Sequence, residues 1–330
     1  MPTLDDSALQ RTTRTHFLPE LKNNVYSKTR LLAIMQMKGR VKPWTGRSLE
    51  WSVVLKKHVA KGLFSGYSTV ATQPVNPLVQ ATLSSANYYA TIAISKEELL
   101  KNQGNPEKVI DLLKTQMQNA EATLKDDMAT DLYASGATIG GLQPLIGLGA
   151  VIDTDNTYAG INRSTTGNEN WQSNEFTTAY TDENLQDSTS AGYLPKVMNN
   201  RYSSASYDDS PDVIVTTTAL YDIYQTIAQV KNLRYDDQIA NLGFGGVKFG
   251  PANTMIFDRF CTSKKMVFLT TSNFQLFVIS GANFDFDEED GVIWKRPVNQ
   301  IAKLAHIIWM GQLRCDVPRQ QAVATALGDG

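Results

Sequence analysis

The chain has 330 residues, 42% hydrophobic and 19% charged, an ordinary globular balance that excludes a disordered polypeptide. Its 31 basic and 33 acidic residues leave a formal charge of −2, so no bulk field draws it toward nucleic acid or an acidic membrane. The length suits two packed units.

In chain order, residues 1–15 are polar and unpatterned, as in an arm. The opening MPTLDDSALQRTTRTHF, with Asp5 and Asp6 and no apolar run, is unlike a signal peptide. Leu18, Leu21, Val25, Leu32 and Met35 then recur at helical spacing, with Pro19 in a first-turn position and Gly39 as a stop. LEWSVVLKK alternates Leu49, Trp51, Val53 and Leu55 against Glu50, Ser52, Val54 and Lys56, which predicts a strand with one sheltered face. NYYATIAIS alternates in the same way. The Gly-, Ser-, Thr-, Pro- and Ala-rich stretch between them exceeds the about 2–5 residues of a tight hairpin. The spacing therefore predicts two long strands carrying an extended loop away from the body.

NPEKVIDLLKTQMQNAEATLKDDMATDLYASG carries the strongest local signal. Asn105 reads as a cap, Pro106 as the first helical position and Glu107 as a first-turn acid. Val109, Leu113, Met117, Ala120, Leu124, Met128 and Leu132 step by three and four, and Gly136 ends the pattern. Such a helix is about 45 Å long, which demands a partner surface along its whole length. Residues 137–210 have few periodic runs. PDVIVTTTALYDIYQTIAQV reads as a strand at Val213–Val215 turning into a helix capped by Thr217 or Thr218. NTMIFD, KKMVFLTT and FQLFVI read as three short strands. The last stretch, NQIAKLAHIIWMGQLRCDVPRQQAVATAL, is β-like, with interruptions expected at Gly311 and Pro318. LAHIIWMGQL is too short to span a bilayer.

No catalytic or metal-binding pattern is met. His16, His58 and His306 are scattered, and structural roles explain them. Cys261 and Cys315 read as buried, inert thiols. DFDEEDG has Asp290 where a calcium loop needs glycine and Arg296 where it needs the closing glutamate, so it reads as a solvated acidic turn. GFGGVKFG and IGGLQPLIGLG fit neither GxGxxG nor a phosphate loop, and no GxSxG elbow occurs. Trp51, Trp171, Trp294 and Trp309 read as packing residues rather than a binding platform.

The order of elements resembles the major capsid proteins of tailed bacteriophages, which share the Hong Kong 97-like fold. It runs arm, helix, two strands with an extended tip, very long helix, Gly-rich turn, α/β unit and closing strands. The residues that carry the resemblance are Gly140-Gly141-Leu142, Tyr158-Ala159-Gly160-Ile161 with Arg163 and Trp171, Pro211-Asp212-Val213-Ile214-Val215, and Trp309-Gly311-Gln312-Leu313. It implies an α+β chain with an N-arm at 1–45 and an extended β-hairpin E-loop at 46–98. A P-domain at 99–144 and 281–330 would hold a spine helix over about 105–135, and an α/β A-domain would cover 145–280. It also implies a structural, non-enzymatic protein that assembles with itself into hexamers and pentamers of an icosahedral shell around double-stranded DNA. Scaffolding, portal and possibly decoration proteins would be its partners. No cofactor, metal or membrane is implied, and its place would be the virion, assembled in the bacterial cytoplasm.

On this reading Lys61, Leu63, Phe64, Tyr67, Val70, Val75 and Leu78 are expected to contact a neighbouring subunit, and deleting 62–80 is expected to leave a folded subunit that closes no shell. Arg163 and Trp171 fit either such a contact or a staple within one chain. Some relatives join E-loop lysines to asparagines. Lys56, Lys57 and Lys61 lie near the tip, but with no matching acceptor they read as solvated. Lys22, Lys28 and Arg30 are candidates for an interior face. The alternatives are another virion part, such as a tail-tube or decoration protein, or a hydrolase built around Asp258 and Arg259.

Overall fold

The computed structural model describes residues 29–56, 60–70, 72, 77–97, 106–139, 141–205, 210–229, 246–249, 253–288 and 292–328; within the long helix, side chains are described from residue 114 onward. The arm at 1–15, the helical positions around Pro19, His16, His58, Lys22, Lys28, Lys57, Val75 and the Asn105 cap lie outside these residues.

Helix α1 (Arg30–Met37) buries Leu31, Leu32, Ala33, Ile34 and Met35 and stops before Gly39, as the spacing predicts. Arg30 is engaged within its own chain, its guanidinium 3.7 Å over the Phe257 ring and bonded to the Phe257 carbonyl. At the other end of α1, Lys38 pairs with Asp212.

Strand β1 (Val41–Trp44) runs parallel to β12 (Phe274–Phe286). Pro43 is tolerated there because β1 is an edge strand. β12 pairs antiparallel with β13 (Ala302–Cys315), and β13 with β4 (Ala86–Ser95), giving a four-stranded sheet. Gly311 does not interrupt β13. A Cβ there would lie 2.5 Å from the Phe277 carbonyl oxygen and 2.9 Å from the Trp309 ring, so glycine is what lets β12 and the indole close over this point. β13 ends at Cys315, and Pro318 opens a short 3₁₀ turn just beyond it.

Pairing around the extended loop differs from the sequence expectation. β2 (Ser48–Val54) pairs with β3 (Leu78–Ser84) as an isolated two-stranded ribbon, in register from Ser48↔Ser84 to Val54↔Leu78. The NYYATIAIS strand is β4, which runs along β13 instead. β3 was hidden because LVQATLS alternates around a small residue: Ala81 is its buried centre.

Helix α2 (Pro106–Tyr133) has 28 residues and starts at Pro106, as expected. Met117, Ala120, Leu124, Met128 and Leu132 form its buried stripe, packed on β4. Gln118, Asn119, Thr123, Asp126 and Thr130 stand exposed on the opposite side. One chain shelters only part of the circumference of this rod.

After the short helix α3 (Leu148–Val151) and a tiny hairpin of β5 (Thr157–Tyr158) and β6 (Ile161–Asn162), the chain builds a six-stranded mixed sheet. Its order is β7 (Asn174–Phe176), β14 (Ala322–Ala324), β11 (Met266–Leu269), β8 (Val213–Thr216), β10 (Asn253–Phe257) and β9 (Val247–Phe249). β8 is buried at every position, which is why it reads as an unbroken apolar run. Helices α4 (Asp182–Gln186), α5 (Leu194–Ala205) and α6 (Thr218–Gln229) cover one face with Leu185, Val197, Met198 and Leu220. The other face, through Val213, Val215, Ile256 and Val267, joins α2, the four-stranded sheet and the ribbon root in one continuous core.

Candidate assembly surface

The ribbon roots in that core. Leu49, Ala81 and Leu83 turn inward and are buried, whereas Glu50, Ser52, Val54 and Leu78 face solvent. Two hydrogen bonds fasten the root to the segment after α3: Thr82 N donates to Ala159 O at 3.0 Å, and Asn170 Nδ2 donates to Leu55 O at 2.8 Å.

That segment folds tightly for local reasons. Ala159 and Gly160 sit at φ 52° and 77°, a two-residue turn with both centres left-handed, which suits the twist of a short hairpin. Ile161 is buried beside it. Trp171 stacks on Tyr158 with centroids 5.7 Å apart and donates from Nε1 to Tyr158 O at 3.2 Å. The Tyr158 hydroxyl accepts from Cys315 N at 2.8 Å, and burial pushes its pKa up, so it stays protonated. Arg163 donates from Nη1 to Ala150 O at 3.1 Å and from Nη2 to Val151 O at 2.6 Å. Burial lowers its pKa, opposed by the nearby Asp153.

Arg163 and Trp171, expected as possible contacts to a neighbour, are thus buried in their own chain at 0% and 1% exposure. The staple alternative is the one the structure shows. The guanidinium bonds through Nη1 and Nη2 to carbonyls of α3, with its Nε buried and unbonded, and the indole bonds to the Tyr158 carbonyl; this staple holds the ribbon root.

The tip is the opposite case. Leu63, Phe64, Tyr67 and Val70 are 104%, 78%, 108% and 68% exposed. Lys61 is exposed beside them, and Leu78, at the outer end of β3, is 54% exposed. Among the described residues, the hydrogen bonds of 60–70 are those of one turn between Ser65 and Ser68. Val75 lies outside the described residues.

Between root and body lies a groove of about 430 Å3, lined by Trp51, Val53, Asn170, Trp171, Arg314 and Val317, among others. The Arg314 guanidinium sits 4.7 Å over the Trp51 ring and pairs with Asp316. Arg319 bonds Asn170 Oδ1 at 2.6 Å. Sequence reading missed this groove, because its walls come from positions more than a hundred residues apart.

The residues named for an enzyme are tied up structurally. Asp258 is buried; its Oδ2 accepts from Tyr133 OH at 3.0 Å and its Oδ1 from Phe260 N at 3.1 Å. Burial raises the Tyr133 pKa well above the usual phenol value, which keeps it a donor. The Arg259 guanidinium lies 4.8 Å over the Phe260 ring. Cys261 and Cys315 are buried, and burial pushes the Cys261 thiol up to about 12. His306 is bonded across strands to Thr91, and Asp287 of the acidic turn accepts from Lys295 at 2.9 Å. Gln312, fully buried, is a hub. It accepts from Ile146 N at 2.8 Å and donates to Ser84 O at 2.9 Å, joining β13, the turn after α2 and the ribbon. Among the described residues, no helix is long and apolar enough to cross a membrane.

No family model and no curated protein sequence matches this chain. Solved structures do match over most of it. The capsid asymmetric unit of cyanophage A-1(L) superposes with a TM-score of 0.62 at 17% identity, covering 89% of this chain and 93% of that one. The chain has the Hong Kong 97-like capsid fold. The capsid of Myoviridae phage XM1 shares the fold at a TM-score of 0.54 and 11% identity, over 89% of this chain and 92% of that one. The capsid of the native GTA particle does so at 0.53 and 9%, over 89% and 90%. Among the described residues, the ribbon tip and the outer side of α2 are two of the surfaces the single chain leaves uncovered; Ile139, Leu142, Val298 and Ile301 are exposed elsewhere.

Proposed function

We propose that this chain is the major capsid protein of a tailed phage, assembling as hexamers and pentamers into the icosahedral shell that encloses the double-stranded DNA genome. One observation carries the reading. On a capsid fold, an isolated ribbon projects from a rigid root and ends in apolar side chains that its own chain does not cover. Closed shells need heterologous contacts, in which one patch meets a different patch, and a projecting tip is suited to one half of such a contact.

In these terms the ribbon 48–84 is the E-loop and α2 the spine helix. The four-stranded sheet with α2 is the P-domain, and the six-stranded sheet with α4 to α6 is the A-domain. β4 then belongs with the P-domain, and β14 returns the chain to the A-domain. Leu63, Phe64, Tyr67, Val70 and Leu78, with Lys61 beside them, are the inter-subunit contacts. The role is structural rather than enzymatic. Scaffolding, portal and decoration proteins are the further partners, and the packaged DNA is met by non-specific contact. The protein acts in the virion after assembly in the host cytoplasm.

Size-exclusion chromatography and negative-stain microscopy of the purified protein test this. Rings, sheets or closed particles are expected. A strictly monomeric species across the micromolar range overturns the reading.

A further inference from the structure

We propose that the groove at the ribbon root is the receptor for the ribbon tip of a second copy of this chain. Tip and groove are then the two unlike halves of one head-to-tail contact. This rests on the shell reading above and adds to it the place where the tip docks.

The groove offers about 430 Å3, within the range of cavities that take organic groups of ligand size. Val53 and Val317 give it apolar walls over the buried Trp171. Arg314 and Arg319 bring cations to it, and Arg314 already lies against the Trp51 ring. The occupant this describes is apolar, aromatic and rich in neutral acceptors.

The tip has that chemistry. Phe64 and Tyr67 present ring faces, which attract guanidinium groups. The Tyr67 hydroxyl and the backbone carbonyls of the tip are acceptors. Residues 60–77 contain no Asp or Glu, so a docked tip leaves the Arg314–Asp316 pair intact. In the single chain the tip stands uncovered while the groove stands open, so each half is present and unfilled in every copy.

Area sets how tightly two copies would hold. Aromatic side chains bury about 150–250 Å2 each and Leu63 and Val70 somewhat less, so Leu63, Phe64, Tyr67 and Val70 together remove roughly 600 Å2 from water. That falls short of the about 800 Å2 per partner of a stable pair. One contact holds two chains weakly, and a closed ring in which every chain gives a tip and receives one holds them well.

The test uses two full-length preparations, Tyr67→Cys and Val317→Cys, mixed under assembly conditions and oxidised. Cys261 and Cys315 are buried and stay silent. The expected result is a disulfide between the two variants, at least tenfold above that of Tyr67→Cys mixed with Tyr89→Cys, whose thiol sits on the exposed side of β4 outside the groove. Val54→Cys, at the other wall, repeats the measurement should Val317→Cys fold poorly. Particles forming with no enrichment of the cross-link overturn the docking site and leave the shell reading standing. A disulfide confined to single chains of the Tyr67/Val317 double variant shows the tip folding onto its own root and overturns it too. Absence of particles from the unsubstituted protein overturns both.

Discussion

Trp171 is clamped between the Tyr158 ring and the core, with its indole N–H spent on the Tyr158 carbonyl. Trp171→Ala would open a cavity and release the segment that holds Leu55 and Thr82. A loss of about 3–5 kcal/mol is expected for such a truncation, read from the urea midpoint of the unassembled chain. A change below about 1 kcal/mol would show that the staple does not support the root. Sequence made the turn at Gly160 and the burial of Ile161 legible, since each follows from one residue type. Whether Arg163 and Trp171 faced inward or toward a neighbour was not legible, because core and interface aromatics have the same composition. Asp127 poses a different problem. Burial raises its pKa, and the carboxylates of Asp131 and Asp126 add to the rise. An acid whose folded pKa is raised binds protons more readily in the folded state. Stability therefore falls as pH rises from the ordinary carboxylate range through the folded pKa, and is lower above it. Asp127→Asn removes the like-charge pair one turn apart with Asp131, worth about 0.2–0.5 kcal/mol. Thermal unfolding should show the variant more stable at pH 7 and indistinguishable near pH 3, where Asp127 is protonated in both states. Equal stability at both pH values would remove the repulsion from the account.

At the scale of elements, α2 was legible because seven apolar positions at steps of three and four leave no other reading, and proline and glycine bracket them. The ribbon was legible as a projection but not in its pairing. Two alternating strands in sequence, 49–55 and 87–95, both need partners, and alternation does not say which. β4 is claimed by β13 over ten residue pairs, and β2 is left with β3. The root is therefore independent of the tip, since Leu49, Leu55, Ala81 and Leu83 are already buried. The 62–80 deletion expected from sequence would cut into β3, so the cleaner change replaces residues 61–76 with a short Gly-Ser linker. The variant should unfold within a few tenths of a kcal/mol of the parent, as surface changes generally do, and should form no closed particles in negative stain. Intact particles from it would show that shell closure does not need the tip.

At the scale of the whole molecule, charge and shape point to the same kind of assembly. A chain of net charge −2 neither repels its copies strongly nor grips polyanions, and the contact energy is expected to come mainly from apolar surface at the tip, with packing around the partly bare rod. The first of these terms behaves predictably with salt. At 1 M the Debye length is about 3 Å, which removes most attraction between exposed charges, whereas burial of Leu63, Phe64 and Tyr67 is unaffected by sodium chloride and strengthened by sulfate. Particle yield, followed by light scattering at fixed protein concentration, should hold between 0.1 M and 1 M sodium chloride and rise in ammonium sulfate. A tenfold drop at 1 M sodium chloride would place the main contacts on charged faces such as Asp126 and Asp127 of α2, and would move the centre of assembly from the ribbon to the rod.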